Sequence, residues 1–197
     1  MEHKESTGST PQTIEEILKS GLKPKQIVVG ISLKLELDRS LMPELLECLA
    51  DGTDSARGHC IEAIEHATLK DPDLVVPYLN VISHSLSDKA PRVRWEAARI
   101  IGNVARRFPA EVESTIPGLI ANTGDKGTVV RWSAAFALAE IAKANSSVRT
   151  DLLTRFPEIM AKESSNGVKN IYLKAMKSIE KAAQPRKASQ EKRASKP

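Results

Sequence analysis

Small and apolar residues recur at three- and four-residue steps along most of the chain, and polar clusters interrupt them at regular intervals. This spacing places the apolar positions on one side of an α-helix. Gly, Asp, Asn and Ser dominate the interruptions, which is typical of turns. The pattern predicts five pairs of helices. The first helices are expected near 12–20, 40–50, 73–86, 111–122 and 149–163, and the second near 24–36, 54–69, 91–107, 128–144 and 167–183.

Two of the predicted second helices carry nearly the same sequence, 37 residues apart. Residues 93–101 read VRWEAARII, and residues 130–138 read VRWSAAFAL. Weaker copies begin at Ala56, at Val168 and near Gln26. Repeats of this length are expected to stack as helix pairs that share a core between neighbours.

Each predicted first helix after the N-terminal one contains an early proline. A proline is tolerated in the first helical turn, because the N–H that it lacks would have no partner there. We therefore expect these prolines to lie early in their helices. They are Pro43, Pro77, Pro117 and Pro157.

An acidic residue precedes a basic residue by six positions in four of the turns. The acid is expected to accept backbone N–H groups at the start of the next helix. The basic side chain is expected to reach an acid of its own or of the adjacent repeat. We interpret this spacing as a structural device. The pairs are Asp51 and Arg57, Asp88 and Arg94, Asp125 and Arg131, and Glu163 and Lys169.

These motifs resemble the HEAT repeat family, in which an early proline, a turn Asp and a Val-Arg-x-x-Ala-Ala-x-x-Leu helix follow one another. Asp88 with residues 93–101, and Asp125 with residues 130–138, match in full. The resemblance covers about residues 11–183 and implies an all-α solenoid of about five HEAT-like helix pairs, wound as a right-handed superhelix. It implies a scaffold for binding. The polar termini, residues 1–10 and 184–197, are expected to be disordered.

The net charge of +4, from 29 basic and 25 acidic residues, is unevenly distributed. Residues 1–88 hold 8 Lys and Arg against 15 Asp and Glu, a net of −7. Residues 89–183 hold 16 against 9, a net of +7, and residues 184–197 hold 5 against 1, a net of +4. Such asymmetry concerns partners rather than the fold.

Few residues are suited to covalent or metal chemistry. Cys48 and Cys60 are too few for a disulfide framework or a four-ligand zinc site, and we expect them to pack as small apolar side chains. His59, Glu62 and His66 share a helix face, but ligands along one straight helix converge poorly, so we predict neither metal nor cofactor. The apolar runs are too short to cross a bilayer, so we expect no membrane insertion. A cytoplasmic location is the expectation.

Two groups of repeat-built enzymes resemble parts of the chain. Deoxyhypusine hydroxylases carry His-Glu iron ligands directly after the repeat Arg, where this chain has Trp95-Glu96 and Trp132-Ser133. DNA alkylation-repair glycosylases use Trp and Arg beside a catalytic acid, and Trp95 with Arg99 is loosely similar. Neither set completes a site, and no Gly-rich phosphate loop or Ser-His-Asp order is present. We predict that the protein is not an enzyme, and a small HEAT-like enzyme or an enzyme-associated subunit stays as a further alternative.

The second helices of HEAT-like repeats usually line the concave side, where outward residues would form a groove. Tryptophan and arginine are enriched among interface hot spots. Two interpretations stay open: an exposed aromatic groove, or tryptophans that cover the next repeat with an Arg stacked on them. The candidates are Trp95, Arg99, Asn103 and Arg106 on the third pair, Trp132, Phe136, Glu140 and Lys143 on the fourth, and Asn170, Lys174, Lys177 and Lys181 on the fifth.

A basic and aromatic groove predicts a protein or peptide partner of acidic character. Nucleic acid is the alternative, through phosphate contacts and base stacking. Pairing of the acidic half of one copy with the basic half of another would give head-to-tail self-association. In the tail, Ser189 and Ser195 each follow a basic pair, which makes them candidate phosphorylation sites; a solvated basic tail is the alternative.

Overall fold

The chain is helical throughout the part that its structure describes. A computed structural model describes residues 13–183, which form ten α-helices, three 3-10 segments and turns, with no strand in that range. The predicted all-α repeat fold is confirmed. Residues 1–12 and 184–197, with Ser189 and Ser195, lie outside the described residues. The helices are α1 (Ile14–Lys19), α2 (Pro24–Leu37), α3 (Met42–Asp51), α4 (Asp54–Thr68), α5 (Leu79–Ser85), α6 (Pro91–Ala105), α7 (Ile116–Asn122), α8 (Thr128–Ala144), α9 (Ser146–Lys162) and α10 (Asn166–Ala183).

Residues 13–75 form a first compact unit. In it, α2 packs against α4, α1 against α2, and α3 against α4. α1 begins with a capping box, in which Thr13 Oγ1 accepts the Glu16 N–H at 3.1 Å and Glu16 Oε2 accepts the Thr13 N–H at 3.0 Å. Apolar side chains from all four helices fill the core: Ile17, Ile31, Leu35, Leu45, Ile61 and Ile64.

Residues 76–183 form a second compact unit. α6 packs against α8, and α8 packs against α10, so the second helices of three successive pairs are neighbours. α5, α7 and α9 each pack against the second helix of their own pair. The Ala-Ala step of the repeated motif is fully buried in both copies, because small side chains let packed helices approach closely. These alanines are Ala97, Ala98, Ala134 and Ala135.

The first helices of two pairs are shorter than predicted. The segments expected to be helical at 73–86 and 111–122 contain α-helix only over Leu79–Ser85 and Ile116–Asn122. A 3-10 segment, Pro72–Tyr78, precedes α5, and another, Glu113–Thr115, precedes α7. Proline disfavours the α conformation of the residue before it, which explains why α5 begins only after Pro77.

Two prolines lie where a first-turn proline was predicted. Pro43 and Pro117 occupy the first turns of α3 and α7. The same prediction was wrong for Pro157, which lies inside α9. The helix begins earlier because Asn145 Oδ1 accepts the Ser147 N–H at 2.9 Å and so caps its N-terminus.

Candidate binding surface

The turns of the second unit are joined by arginines that bind the acid of the following turn. Arg94 NH2 donates to Asp125 Oδ2 at 2.8 Å, and its NH1 donates to the Asp88 carbonyl oxygen at 2.6 Å. Arg131 repeats the arrangement one repeat later, with NH1 donating to the Asp125 carbonyl oxygen at 2.9 Å and the rest of its guanidinium bound to Glu163. Each guanidinium therefore ties its own turn to the next one.

The acids of these turns also hold the backbone at the start of each following helix. Asp125 Oδ1 accepts the Gly127 N–H at 2.7 Å, and Glu163 Oε1 accepts the Ser165 N–H at 2.7 Å. Asp88 Oδ1 does the same for the Ala90 N–H at 2.8 Å. In each of the three turns, one carboxylate oxygen thus accepts a backbone N–H. In the later two turns, the same carboxylate also accepts hydrogen bonds from the arginine of the preceding turn. This arrangement accounts for the regular spacing of acids and arginines.

The earliest and latest pairs of the sequence motif differ from this arrangement. Arg57 Nε donates to the Leu49 carbonyl oxygen at 2.9 Å, and its NH1 lies 3.4 Å from Asp54 Oδ1. Asp51 is the exposed last residue of α3, and Thr53 rather than Asp51 caps α4. At the other end, Lys169 is half-buried in the first turn of α10.

The Arg131–Glu163 pair is buried beside an aromatic contact. Glu163 is 6% exposed, and hydrogen bonds from Arg131 hold its pKa below the ordinary value. Tyr172 on α10 packs on Phe156 of α9, with ring centroids 4.8 Å apart. Burial, with a smaller contribution from Glu163, raises the pKa of the Tyr172 hydroxyl, which has no hydrogen-bond partner among residues 13–183. These contacts join α8, α9 and α10.

An aromatic and cationic cluster joins α8 to the C-terminal end of α6. Trp132 and Phe136 on α8 stack nearly parallel, with centroids 5.9 Å apart and an interplanar angle of 9°. Arg106, which directly follows α6, places its guanidinium carbon 5.8 Å from the Phe136 centroid, within reach of a cation–π interaction. Trp132 is 42% exposed, so its indole is available to a partner.

Phe136 is held on α6 by a glycine. A methyl group at Gly102 would lie 2.4 Å from Phe136 Cε1 and 3.2 Å from the Ala137 Cα. The absence of a side chain at this position therefore lets the Phe136 ring lie directly on α6. The stacked Trp132 ring extends this platform towards solvent.

Glu140 joins the cations of the two helices. Its Oε2 accepts the Arg106 Nε–H at 2.9 Å, and its Oε1 accepts a hydrogen bond from Lys143 Nζ. Glu140 is 9% exposed, whereas Arg106 and Lys143 are exposed. One buried carboxylate thus positions two exposed cations, and the surface that a partner would meet is positive.

A groove of about 350 Å³ continues this surface between α8 and α10. Lys143 on one side and Lys174 on the other line it, with Ile171 and Ala175 forming an apolar floor. Lys177 and Lys181 are exposed further along α10. We call the resulting surface the basic face, defined by Trp95, Arg99, Arg106, Trp132, Phe136, Lys143, Lys174 and Lys177.

The α6 part of the basic face is more enclosed than the rest. Trp95 is half-buried, and its Nε1–H donates to Glu96 Oε1 at 2.7 Å. Arg99 NH1 lies 3.5 Å from Glu96 Oε2. Asn103, which was expected to line the groove, is only 7% exposed and is not part of the open surface.

Several residues that matter here were not found from the sequence. Asn122 Nδ2–H donates to the Leu86 carbonyl oxygen at 3.0 Å, and Asn145 Nδ2–H donates to the Pro109 carbonyl oxygen at 3.0 Å. Each of these bonds joins residues 36 positions apart, which is about one repeat. This shared separation is the sequence signal for a contact between adjacent repeats. Leu173, which is next to Lys174 and 51% exposed, was also not among the predicted surface residues.

The histidines do not form a metal centre in the part of the chain described. His59 is buried on α4, whereas Glu62 and His66 are half-buried. Residues 13–183 contain no group of three or more His, Cys, Asp or Glu that could hold a metal ion. None of the helices in this range is long and apolar enough to span a membrane.

Solved structures of helical repeat proteins are similar in fold. The complex of CpcE and CpcF of phycocyanin lyase from Nostoc sp. PCC7120 contains a chain that matches with a TM-score of 0.67 and 22% identity, over 83% of this chain and 97% of that one. A designed armadillo repeat protein in complex with the peptide (KR)4 matches with a TM-score of 0.65 and 16% identity, over 87% and 88% of the two chains. At these identities the likeness shows the fold alone.

The sequence itself matches the family described as HEAT repeats over residues 42–139. A comparison with curated proteins gave no match. The matched range contains both complete copies of the Val-Arg-x-x-Ala-Ala motif and Asp125, the turn acid that Arg94 binds. Residues 42–139 are therefore HEAT repeats, and the chain is a HEAT-repeat protein.

Proposed function

We propose that this protein is a non-catalytic scaffold that binds an acidic segment of another protein on the basic face. The observation that carries the proposal is the pairing of an exposed aromatic platform, Trp132 on Phe136, with exposed cations on the neighbouring helices. Aromatic and arginine side chains dominate binding energy at protein interfaces. The groove between α8 and α10 offers an apolar floor beside them.

The charge of the basic face favours an acidic partner. Its members include five cations, Arg99, Arg106, Lys143, Lys174 and Lys177, while Glu96 and Glu140 beneath them are buried. Complementary charge accelerates encounter and selects among partners. A segment that carries carboxylates and one or two apolar side chains would meet the cations along α8 and α10 and the platform at Trp132.

The similar structures support a protein partner. One similar chain is part of a two-protein complex of CpcE and CpcF, and another binds the peptide (KR)4. The peptide in that designed protein is basic, whereas the cations of the basic face favour an acidic peptide. The proposed preference for acidic peptides therefore rests on the side chains of this chain and not on the similar structure.

Fluorescence anisotropy with labelled peptides tests the proposal. The probes are (DE)4, its basic counterpart (KR)4, and a single-stranded DNA oligonucleotide of matched charge. We expect (DE)4 to bind most tightly and (KR)4 not at all. Lys143→Glu combined with Lys174→Glu should weaken (DE)4 binding about tenfold or more, roughly 1.4 kcal/mol.

Lys126→Glu is the matched control, because Lys126 is an exposed lysine of the turn before α8 and lies off the basic face. It should leave affinity nearly unchanged. Equal effects of the control and the double variant would contradict the proposal, as would tighter binding of (KR)4. Tighter binding of the oligonucleotide at the same salt concentration would favour the nucleic-acid alternative instead.

A further inference from the structure

The two cysteines of the chain lie side by side between α3 and α4. Cys48 is on α3 and Cys60 on α4, both thiols are free, and their sulfur atoms are 2.9 Å apart. A disulfide requires about 2.05 Å, so the sulfurs need to approach by less than about 1 Å. We propose that they are a peroxide-oxidisable dithiol, in which Cys48 is oxidised first and Cys60 resolves the product into a disulfide.

The two thiols differ in exposure and in acidity. Cys48 is half-buried, whereas Cys60 is fully buried. The hydrogen bond from the Cys60 S–H lowers the pKa of Cys48, and the Arg57 guanidinium acts in the same direction, while burial and Glu44 oppose them. The same hydrogen bond, together with burial, raises the pKa of Cys60. The thiolate, which is the nucleophile, therefore forms at the more exposed Cys48.

The turn after α3 passes close to the sulfur of Cys48. A methyl group at Gly52 would lie 3.2 Å from Cys48 Sγ, 3.4 Å from Arg57 Cγ and 2.5 Å from the Cys48 carbonyl oxygen. The Gly52 N–H donates to that same carbonyl at 2.9 Å at the end of α3. This side of Cys48 is therefore closely packed, and hydrogen peroxide reaches the sulfur through the solvent-accessible part of the half-buried side chain.

The oxidation proceeds in two balanced steps. The Cys48 thiolate, having given its proton to water, attacks one peroxide oxygen; the O–O bond breaks, hydroxide leaves, and Cys48 becomes a sulfenic acid. The Cys60 sulfur then attacks the Cys48 sulfur, the S–O bond breaks, and the departing hydroxide takes the Cys60 proton to form water. Two thiols and one peroxide thus give one disulfide and two waters, and α3 becomes covalently joined to α4.

Peptide mapping of the full chain after treatment with hydrogen peroxide tests the proposal. Since Arg57 lies between the cysteines, trypsin places them on separate peptides, residues 40–57 and 58–70. We expect these two peptides to be linked, the intact chain to lose about 2 Da, and a thiol reductant to restore both thiols. Because the chain has only two cysteines, the linkage is unambiguous.

Two variants separate the roles of the thiols. Cys60→Ser removes the resolving thiol, so Cys48 should accumulate as a sulfenic acid that dimedone traps, whereas the unaltered chain should give little adduct. Cys48→Ser should leave Cys60 reduced under the same treatment, because it is fully buried. Two unreacted thiols in the peroxide-treated unaltered chain, or a disulfide only between two chains, would overturn the proposal.

Discussion

The guanidinium of Arg131 and the carboxylate of Glu163 meet at two points, with Nε 2.8 Å from Oε2 and NH2 3.0 Å from Oε1. This pair joins the turn before α8 to the turn before α10, and both side chains are largely buried. Two parallel hydrogen bonds between a guanidinium and a carboxylate fix orientation as well as distance. The pair therefore helps to set the positions of the helices that carry the basic face.

Removing Arg131 should destabilise the second unit strongly. Arg131→Ala leaves Glu163 buried without its cation, and losses of about 3 kcal/mol are typical of such cases. Urea denaturation followed by circular dichroism measures the change. The control is Arg155→Ala, since Arg155 pairs with Asp151 on an exposed part of α9, where an ion pair contributes little to stability. Equal losses in the two variants would show that burial of the Arg131 pair is unimportant.

The same pair predicts an acid-dependent loss of stability. The pKa of Glu163 is lowered in the folded protein from its ordinary value of 4.5, so the stability that it contributes is present above that value. It is lost as the pH falls through the lower folded-state pKa, when the carboxylate accepts a proton. The difference in urea midpoint between the unaltered protein and Glu163→Gln should therefore shrink below pH 4.5. A difference that is constant with pH would contradict this assignment.

Filling the space at Gly102 should disturb the aromatic platform. An alanine there would place its methyl group 2.4 Å from Phe136, so the ring must move, and overpacking of this kind costs about 1–3 kcal/mol. Gly30→Ala on α2 is the control, because the nearest side-chain atom would be 3.9 Å away. That variant should be neutral or stabilising by up to about 1 kcal/mol. Thermal denaturation measures the Tm of both variants. A higher Tm for Gly102→Ala than for Gly30→Ala would contradict the packing at Phe136.

Trp132 should be the more accessible of the two tryptophans. It is 42% exposed, whereas Trp95 is half-buried and donates to Glu96. Acrylamide should therefore quench the fluorescence of Trp95→Phe, which retains Trp132, more strongly than that of Trp132→Phe. An acidic peptide that occupies the basic face should reduce quenching in Trp95→Phe. Stronger quenching of Trp132→Phe would place the exposed aromatic residue on α6 instead.

The helix pairs were predictable from sequence because the repeat is strong where the packing is tight. The alanines of VRWEAARII and VRWSAAFAL appear at fixed intervals, and the arginine that follows each valine binds the turn backbone in the structure. The exact helix starts were less predictable. The start of α9 depends on the Asn145 cap, which competes with the signal from Pro157.

The candidate site was only partly predictable, because exposure depends on how neighbouring helices meet. Trp95 and Trp132 occupy equivalent positions in the motif, yet one is half-buried and the other is exposed. Asn103 is buried, although the sequence predicts it on the same face as Arg106. Likewise, the 37-residue interval does not show that Glu140 accepts bonds from both Arg106 and Lys143.

Mapping the site of a bound acidic peptide tests the central claim most directly. A (DE)4 peptide that carries a central photo-crosslinking residue would be irradiated with the full chain, and the adducts would be located by mass spectrometry. Binding on the basic face predicts adducts on α8 and α10, around Trp132, Lys143 and Lys174. These adducts should be lost when Lys143→Glu is combined with Lys174→Glu. Adducts confined to residues 13–75, or an unchanged pattern in the double variant, would contradict it.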